Sequence, residues 1–180
     1  PSLDALAAKL RELHARSGRF LDQSVRGGTQ TDGPLFARID PEIRALRAAI
    51  VEAVEIYRHQ LPPVDPDHPM LRNKRSGRVR FSGSWSVRLS DAGFHSAHVH
   101  PQGWISSAFY VALPEVRQGE EGWLVLGEPH EDLSSGLPPI RRIEPKAGQL
   151  VLFPSMMWHG TLPFPKGERM TVAFDVAPSR

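Results

Sequence analysis

Apolar residues recur along this chain with two different periods, and the change falls near residue 78. Leu3, Leu6, Leu10 and Leu13 are three and four positions apart, the spacing of one helix face, and predict a helix that stops at Ser17-Gly18. A second helix is predicted from Asp40-Pro41-Glu42, which supplies a cap, a proline at the first helical position and a first-turn acid. Its apolar stripe runs Ile43, Leu46, Ile50, Val54 and Tyr57 and ends before Pro62-Pro63. Residues 62–77 read as a proline-rich and then basic connection. Beyond them short apolar runs broken by turn residues predict strands at 79–89, 97–100, 104–113, 122–126, 140–143, 149–153 and 169–176. No internal repeat or low-complexity segment interrupts this pattern.

Composition narrows the class. With 180 residues and 40% hydrophobic content, the chain is expected to form a single domain over 1–180, in which 1–77 is a helical and connecting part and 78–176 a barrel. Seventeen prolines and fifteen glycines spread among short apolar runs suit a mainly β architecture with many turns, the helices buttressing one sheet. The absence of cysteine excludes disulfides, thiolate zinc sites and iron–sulfur clusters. Neither an apolar run of about 18 residues nor a signal-like start is present, so no membrane span is expected and a cytoplasmic location is.

His98-Val99-His100 carries the chemistry. Imidazoles at i and i+2 on an extended strand point to the same side, so one metal ion can be held by both while His159 arrives from a distant strand. Such a set leaves half the coordination sphere open, as in non-haem iron sites whose usual ligands are two histidines and one carboxylate. Ten residues after His159, Arg169 offers a planar fork suited to a carboxylate.

These residues resemble the iron(II)- and 2-oxoglutarate-dependent oxygenases, and within them a bacterial and phage group. The matching blocks are His98-Val99-His100-Pro101, Ser106 to Tyr110, Gly148-Gln149-Leu150-Val151-Leu152-Phe153-Pro154-Ser155 with His159, and Glu168-Arg169 to Phe174, over about residues 79–176. The resemblance implies a double-stranded β-helix, that is, a jelly-roll or cupin-like barrel. It implies Fe(II) on His98, His100 and His159, with 2-oxoglutarate as cosubstrate held at its far carboxylate by Arg169, helped by Thr171. It implies O2 as oxidant and hydroxylation of a C–H bond with release of succinate and carbon dioxide. Tyr110 stands where related oxygenases place a phenol on the cosubstrate; a core tyrosine is the equal alternative. Amino acids, peptides and protein side chains all fit as substrate. The chain opens at Pro1, and the resemblance suggests that tetratricopeptide repeats precede the oxygenase in a longer protein.

One ligand departs from the commoner pattern, which has His-x-Asp or His-x-Glu where this chain has His98-Val99-His100. A three-histidine set keeps the full +2 charge on iron and depends more on the dianionic cosubstrate for charge balance. A cupin of other chemistry also uses His-x-His, but most cupins add a glutamate shortly after, and residues 101–106 contain none. A non-catalytic, metal-stabilised barrel is the third reading. Against it stands Arg169, because a buried cation without a carboxylate is costly.

The remaining candidates carry weaker signals. His95 is read as ordinary polar surface, with a substrate role as its functional alternative. Residues 24–31, Ser24 to Thr31, are polar and Gly-rich and read as a surface loop, or alternatively as a lid whose Arg26 and Gln30 hold substrate. Trp85, Trp104 and Trp123 are expected in the core, whereas Trp158, next to His159, is a candidate floor of the site. Arg72, Lys74, Arg75, Arg78 and Arg80 cluster, but a net charge of +2 and the lack of interleaved aromatics favour a solvated face over nucleic-acid binding.

Overall fold

A computed structural model of the chain describes residues 2–16, 25–73, 75–115 and 119–179. The helix stop expected at Ser17-Gly18, together with Ser24 and Lys74, lies outside the described residues. Two helices precede most of the sheet: α1 spans Leu3–Arg16 and α2 spans Pro41–Gln60. Their predicted stripes are the faces they bury, Leu6, Leu10 and Leu13 on α1 and Ile43, Leu46, Ile50 and Val54 on α2. Asp40 occupies the N-cap position of α2 but its carboxylate does not cap. It is drawn instead to Arg38 and Lys9, at 2.9 and 3.5 Å, and its backbone carbonyl accepts the first helical bond from Arg44.

Eight strands form one antiparallel sheet among the described residues: β1 Val25–Gln30, β2 Phe81–His98, β3 Ile105–Ala112, β4 Leu124–Leu126, β5 Arg141–Ile143, β6 Leu150–Pro154, β7 His159–Thr161 and β8 Glu168–Val176. Their order is β5-β4-β7-β2-β8-β3-β6, with β1 paired to β2. The two runs predicted at 79–89 and 97–100 are joined in one 18-residue strand, bent where Ala92 adopts φ of 63°. That bend is held by the Ala92 N–H bonded to the Phe164 carbonyl at 2.8 Å. The polar segment at 25–30 is a strand, contrary to the expected loop. Its glycines serve close approach, since a Cβ on Gly28 would sit 2.4 Å from the Arg88 carbonyl oxygen.

Alternation along β8 divides the molecule. Met170, Val172, Phe174 and Val176 join the helix residues in one buried cluster, which also takes in Trp104 and Ile105, while Arg169, Thr171 and Ala173 face a cavity on the other side. Full burial of each large aliphatic or aromatic side chain in that cluster contributes about 1.5–3 kcal/mol, which is how the helices fasten to the sheet. The basic run is in part structural: Arg75 donates to the carbonyls of Leu61 and Pro62 at the end of α2, and Arg80 to that of Pro178. No helix among the described residues is long and apolar enough to cross a membrane.

Candidate metal centre and its cavity

The cavity enclosed by the sheet holds about 320 Å³ and is lined by residues of β2, β3, β4, β6, β7 and β8, with Gln30 of β1 at its edge. His98 is the last residue of β2 and lies opposite His159, the first of β7, in the antiparallel ladder. His100 follows just beyond the strand, fixed by its backbone N–H to the Ser155 carbonyl at 2.9 Å. The ring centroids are 4.2 Å apart for His98–His159, 5.1 Å for His98–His100 and 4.9 Å for His100–His159. One nitrogen from each comes within 4.8 Å of the others, a spacing that suits three ligands of one ion.

Hydrogen bonds at the far side of each ring set which nitrogen carries the proton. The Nδ1–H of His98 donates to the Ser96 carbonyl at 2.7 Å, that of His159 to Met157 at 3.0 Å, and that of His100 to both oxygens of Asp175 at 2.7 and 2.8 Å. With Nδ1 protonated, Nε2 keeps its lone pair for a metal. Burial lowers the His98 pKa, and burial together with the neighbouring His98 lowers that of His159 to about 3. Neutral imidazole is the form that ligates.

Further inside, Arg169 is 2% exposed, and its pKa is pushed down by burial. No acidic side chain pairs with it among the described residues, and its Nε lacks a hydrogen-bond partner. Its guanidinium carbon lies 5.2 Å from the Tyr110 ring centroid, and the Tyr110 hydroxyl is likewise buried with no hydrogen-bond partner among the described residues. Burial raises the Tyr110 pKa, keeping the phenol protonated. Thr171, opposite Tyr110 in the β3–β8 ladder, also lines the cavity. Three imidazole donors suit a first-row divalent metal, and a buried arginine beside two hydroxyls suits an anionic carboxylate. The residues therefore fit Fe(II) and 2-oxoglutarate on both counts.

His95 is no surface residue: it lines the cavity, its ring centroid 6.2 Å from that of His98 and its Nδ1 3.4 Å from the Thr161 hydroxyl. The irregularity between His95 and His98 in the β2–β7 register puts both on one side, which a regular strand would forbid. Burial and the nearby Arg169 hold its pKa well below the ordinary histidine value. Gln30 reaches the cavity, but Arg26 on the same strand is exposed and donates to its own neighbour's carbonyl, Val25. Trp158 is not part of the lining because adjacent residues of an extended chain point to opposite faces; the aromatic ring against His159 is Phe153, at 4.7 Å. Trp85, expected in the core, faces the cavity and lies 5.4 Å from the His100 ring.

Asp175 was not singled out by the sequence pattern. Its signal is parity, for it follows Arg169, Thr171 and Ala173 at the next odd position of β8, on the face turned to the site. Gly160 is equally tied to the site: a Cβ there would lie 2.9 Å from the His95 carbonyl oxygen, so β7 approaches β2 closely only because residue 160 has no side chain.

Comparison with known proteins agrees with this geometry. Residues 83–175 match the family model described as "Putative 2OG-Fe(II) oxygenase". No curated protein sequence matches the chain. Among solved structures, a Pseudomonas putida prolyl-4-hydroxylase is similar at 19% identity and TM-score 0.66, over 99% of this chain and 86% of that one. HygX from Streptomyces hygroscopicus, with nickel and 2-oxoglutarate bound, is 12% identical at TM-score 0.62, over 99% and 80%. The viral collagen prolyl hydroxylase of Paramecium bursaria Chlorella virus-1, as its 2-oxoglutarate complex, is 15% identical at TM-score 0.58, over 98% and 90%. At these identities the likeness concerns the fold, a jelly-roll of the oxygenase type.

Proposed function

The chain belongs to the 2-oxoglutarate- and iron(II)-dependent oxygenase family, and from that premise we propose that it hydroxylates an aliphatic C–H bond of a peptide or protein side chain, with Fe(II) on His98, His100 and His159. The observation that carries this reading is the pairing of three convergent imidazoles with the buried, acid-free Arg169 in one cavity. When bound, the iron and 2-oxoglutarate supply oxidative decarboxylation, which yields succinate and carbon dioxide and activates O2 for the hydroxylation.

The chain's own residues bind, orient and exclude water. Arg169 would hold the far carboxylate of the cosubstrate, with the hydroxyls of Tyr110 and Thr171 completing that end of the cavity. That anchor would leave the keto-acid end to the three imidazoles. Phe153, Val87 and Leu124 keep the lining apolar, so charges inside interact strongly. Gln30, Trp85 and His95 line the cavity as well and are assigned to the substrate side. The prolyl hydroxylases among the similar structures favour a polypeptide over a free amino acid as substrate. The buried cluster shared by α1, α2 and β8 supports treating 1–180 as one oxygenase unit.

The test has two parts. Under anaerobic conditions, Fe(II) with 2-oxoglutarate is expected to give the weak visible charge-transfer band of a chelated keto acid. In air, a screen of peptides and free amino acids is expected to find one that raises succinate formation. A metal-loaded protein with neither band nor thermal stabilisation by 2-oxoglutarate would sink the proposal.

A further inference from the structure

We propose that Asp175 is a positioning residue for the metal: its carboxylate acts through the imidazole of His100 and restores, one hydrogen bond further out, the negative charge that a two-histidine, one-carboxylate site places directly on the ion. The proposal rests on the reading above that His98, His100 and His159 hold the ion.

The three imidazoles are not equivalent. Those of His98 and His159 give their Nδ1–H to neutral backbone carbonyls, of Ser96 and Met157. Among the described residues only His100 gives it to a carboxylate, and it meets both oxygens, at 2.7 and 2.8 Å. His100 also fills the sequence position at which the commoner pattern has its acid. An anionic acceptor strengthens the N–H bond, raises the electron density on Nε2 and so makes it a better donor to a dication. The charge missing from the ligand set is thus present in the structure, displaced behind the ring.

The carboxylate is held for this task. Asp175 is 8% exposed, and the Ser106 hydroxyl donates to its Oδ1 at 2.5 Å, with the Ser155 hydroxyl 3.0 Å from Ser106. The turn after His100 closes over the group: Gly103 N–H bonds to the His100 carbonyl at 3.1 Å, and a Cβ on Gly103 would lie 3.2 Å from the Asp175 Cβ and 2.4 Å from the Ser155 hydroxyl. Register places Asp175 there, opposite Gly83 of β2 and Ser106 of β3. With both oxygens occupied at Nδ1, Asp175 stands behind the imidazole and is not itself one of the convergent ligand atoms. Ring orientation and ligand strength of His100 therefore have one common source.

The experiment titrates metal-free protein with Co(II) against a competing chelator and records the visible ligand-field bands, for wild type, Asp175→Asn, His100→Ala and the double variant. Asp175→Asn keeps the shape and removes the charge. It is expected to weaken Co(II) about 10- to 100-fold, the usual effect of losing such a partner, and to shift the bands. In the His100→Ala background the same change is expected to alter affinity less than about 2-fold. With iron bound, Asp175→Asn is also expected to raise the Fe(III)/Fe(II) potential. Wild-type affinity and spectrum in Asp175→Asn would overturn the proposal, and so would an equal loss with and without His100. Wild-type affinity in His100→Ala would instead remove the three-histidine reading, and the proposal with it. Ser106→Ala leaves the carboxylate charge intact and guards against a mere packing effect: Co(II) affinity is expected within about 3-fold of wild type, and a 10-fold loss would show that packing around Asp175 matters rather than its charge.

Discussion

Arg169 and Tyr110 form a buried pair: the guanidinium carbon lies 5.2 Å from the ring centroid, and among the described residues neither Nε nor the phenol oxygen has a hydrogen-bond partner. A cation kept in this state is a cost to the metal-free, cosubstrate-free fold and a gain once a carboxylate arrives. Arg169→Met should therefore stabilise the empty protein while weakening its hold on 2-oxoglutarate. The thermal midpoint of the empty protein should rise, because replacing a buried ion by an apolar side chain is worth about 1–4 kcal/mol. The Michaelis constant for 2-oxoglutarate should rise as well, by the equivalent of about 2–3 kcal/mol, with Fe(II) or Co(II) affinity nearly unchanged. A variant with a wild-type constant for 2-oxoglutarate would move the anchor elsewhere.

Tyr110→Phe isolates the phenol from the ring. The hydroxyl has no hydrogen-bond partner among the described residues, so its removal should leave the empty fold as stable as before or slightly more so. If it donates to the bound cosubstrate, 2-oxoglutarate should bind about 10- to 100-fold more weakly, the worth of one hydrogen bond to a charged acceptor. Calorimetric titration of the metal-loaded protein measures both the affinity and the missing enthalpy. Equal affinity would leave Tyr110 as a packing residue.

Gly160→Ala tests how the third imidazole is held. The added methyl carbon would meet the His95 carbonyl at 2.9 Å, backbone against side chain, so β7 has to move away from β2. His159 is the neighbouring residue, and it moves too. Metal affinity is expected to fall at least 10-fold while the helical signal in circular dichroism stays, because the helices pack on the opposite face of the sheet. Metal binding at wild-type strength would mean that β7 can yield without displacing its histidine.

His14 makes stability depend on pH. Its Nε2–H donates to the Ser86 hydroxyl at 3.0 Å, which in turn donates to the Thr171 carbonyl at 2.9 Å, so Nδ1 is left to accept from Thr29 at 2.9 Å. Protonation would break that last bond, and burial with the nearby Arg88 lowers the pKa from 6.5 to about 4. The unfolded chain then binds a proton near pH 6.5 and the folded chain only near pH 4. Stability is complete above 6.5 and is lost as pH falls toward 4. After discounting for solvent screening, the loss is about 1–2 kcal/mol. Urea unfolding at pH 7.5 and pH 5 should show this drop, and His14→Gln should lessen it by that amount. The same drop in the variant would assign it to other histidines.

Legibility in the sequence followed the range of the interactions concerned. Helix faces such as Leu6-Leu10-Leu13 are written in local period, and β8 is written in alternation, so both were readable. His98, His100, His159 and Arg169 were expected together from motif order and spacing, and they line one cavity. What stayed hidden depends on a partner strand. The segment 25–30 has no apolar alternation of its own and is a strand only because Gly28 lets it lie against the β2 backbone. β7 is three residues long, too short to show a period. His95 joins the cavity through a break in register, and Asp175 acquires its contact with His100 across 75 positions of sequence.

β8 serves two masters with alternate residues, and this governs which changes the gene can tolerate. Met170, Val172, Phe174 and Val176 are seated among the helices, while Arg169, Thr171, Ala173 and Asp175 are turned to the site. Substitution can adjust either set independently. Loss or gain of a single codon within the strand cannot, since one step would carry every downstream side chain to the other face, driving a phenylalanine into the metal cavity and an aspartate into the oily layer under α2. Length variation is thus expected to be confined to the connections, such as 127–140 between β4 and β5, with the number of residues from Arg169 to Asp175 held fixed.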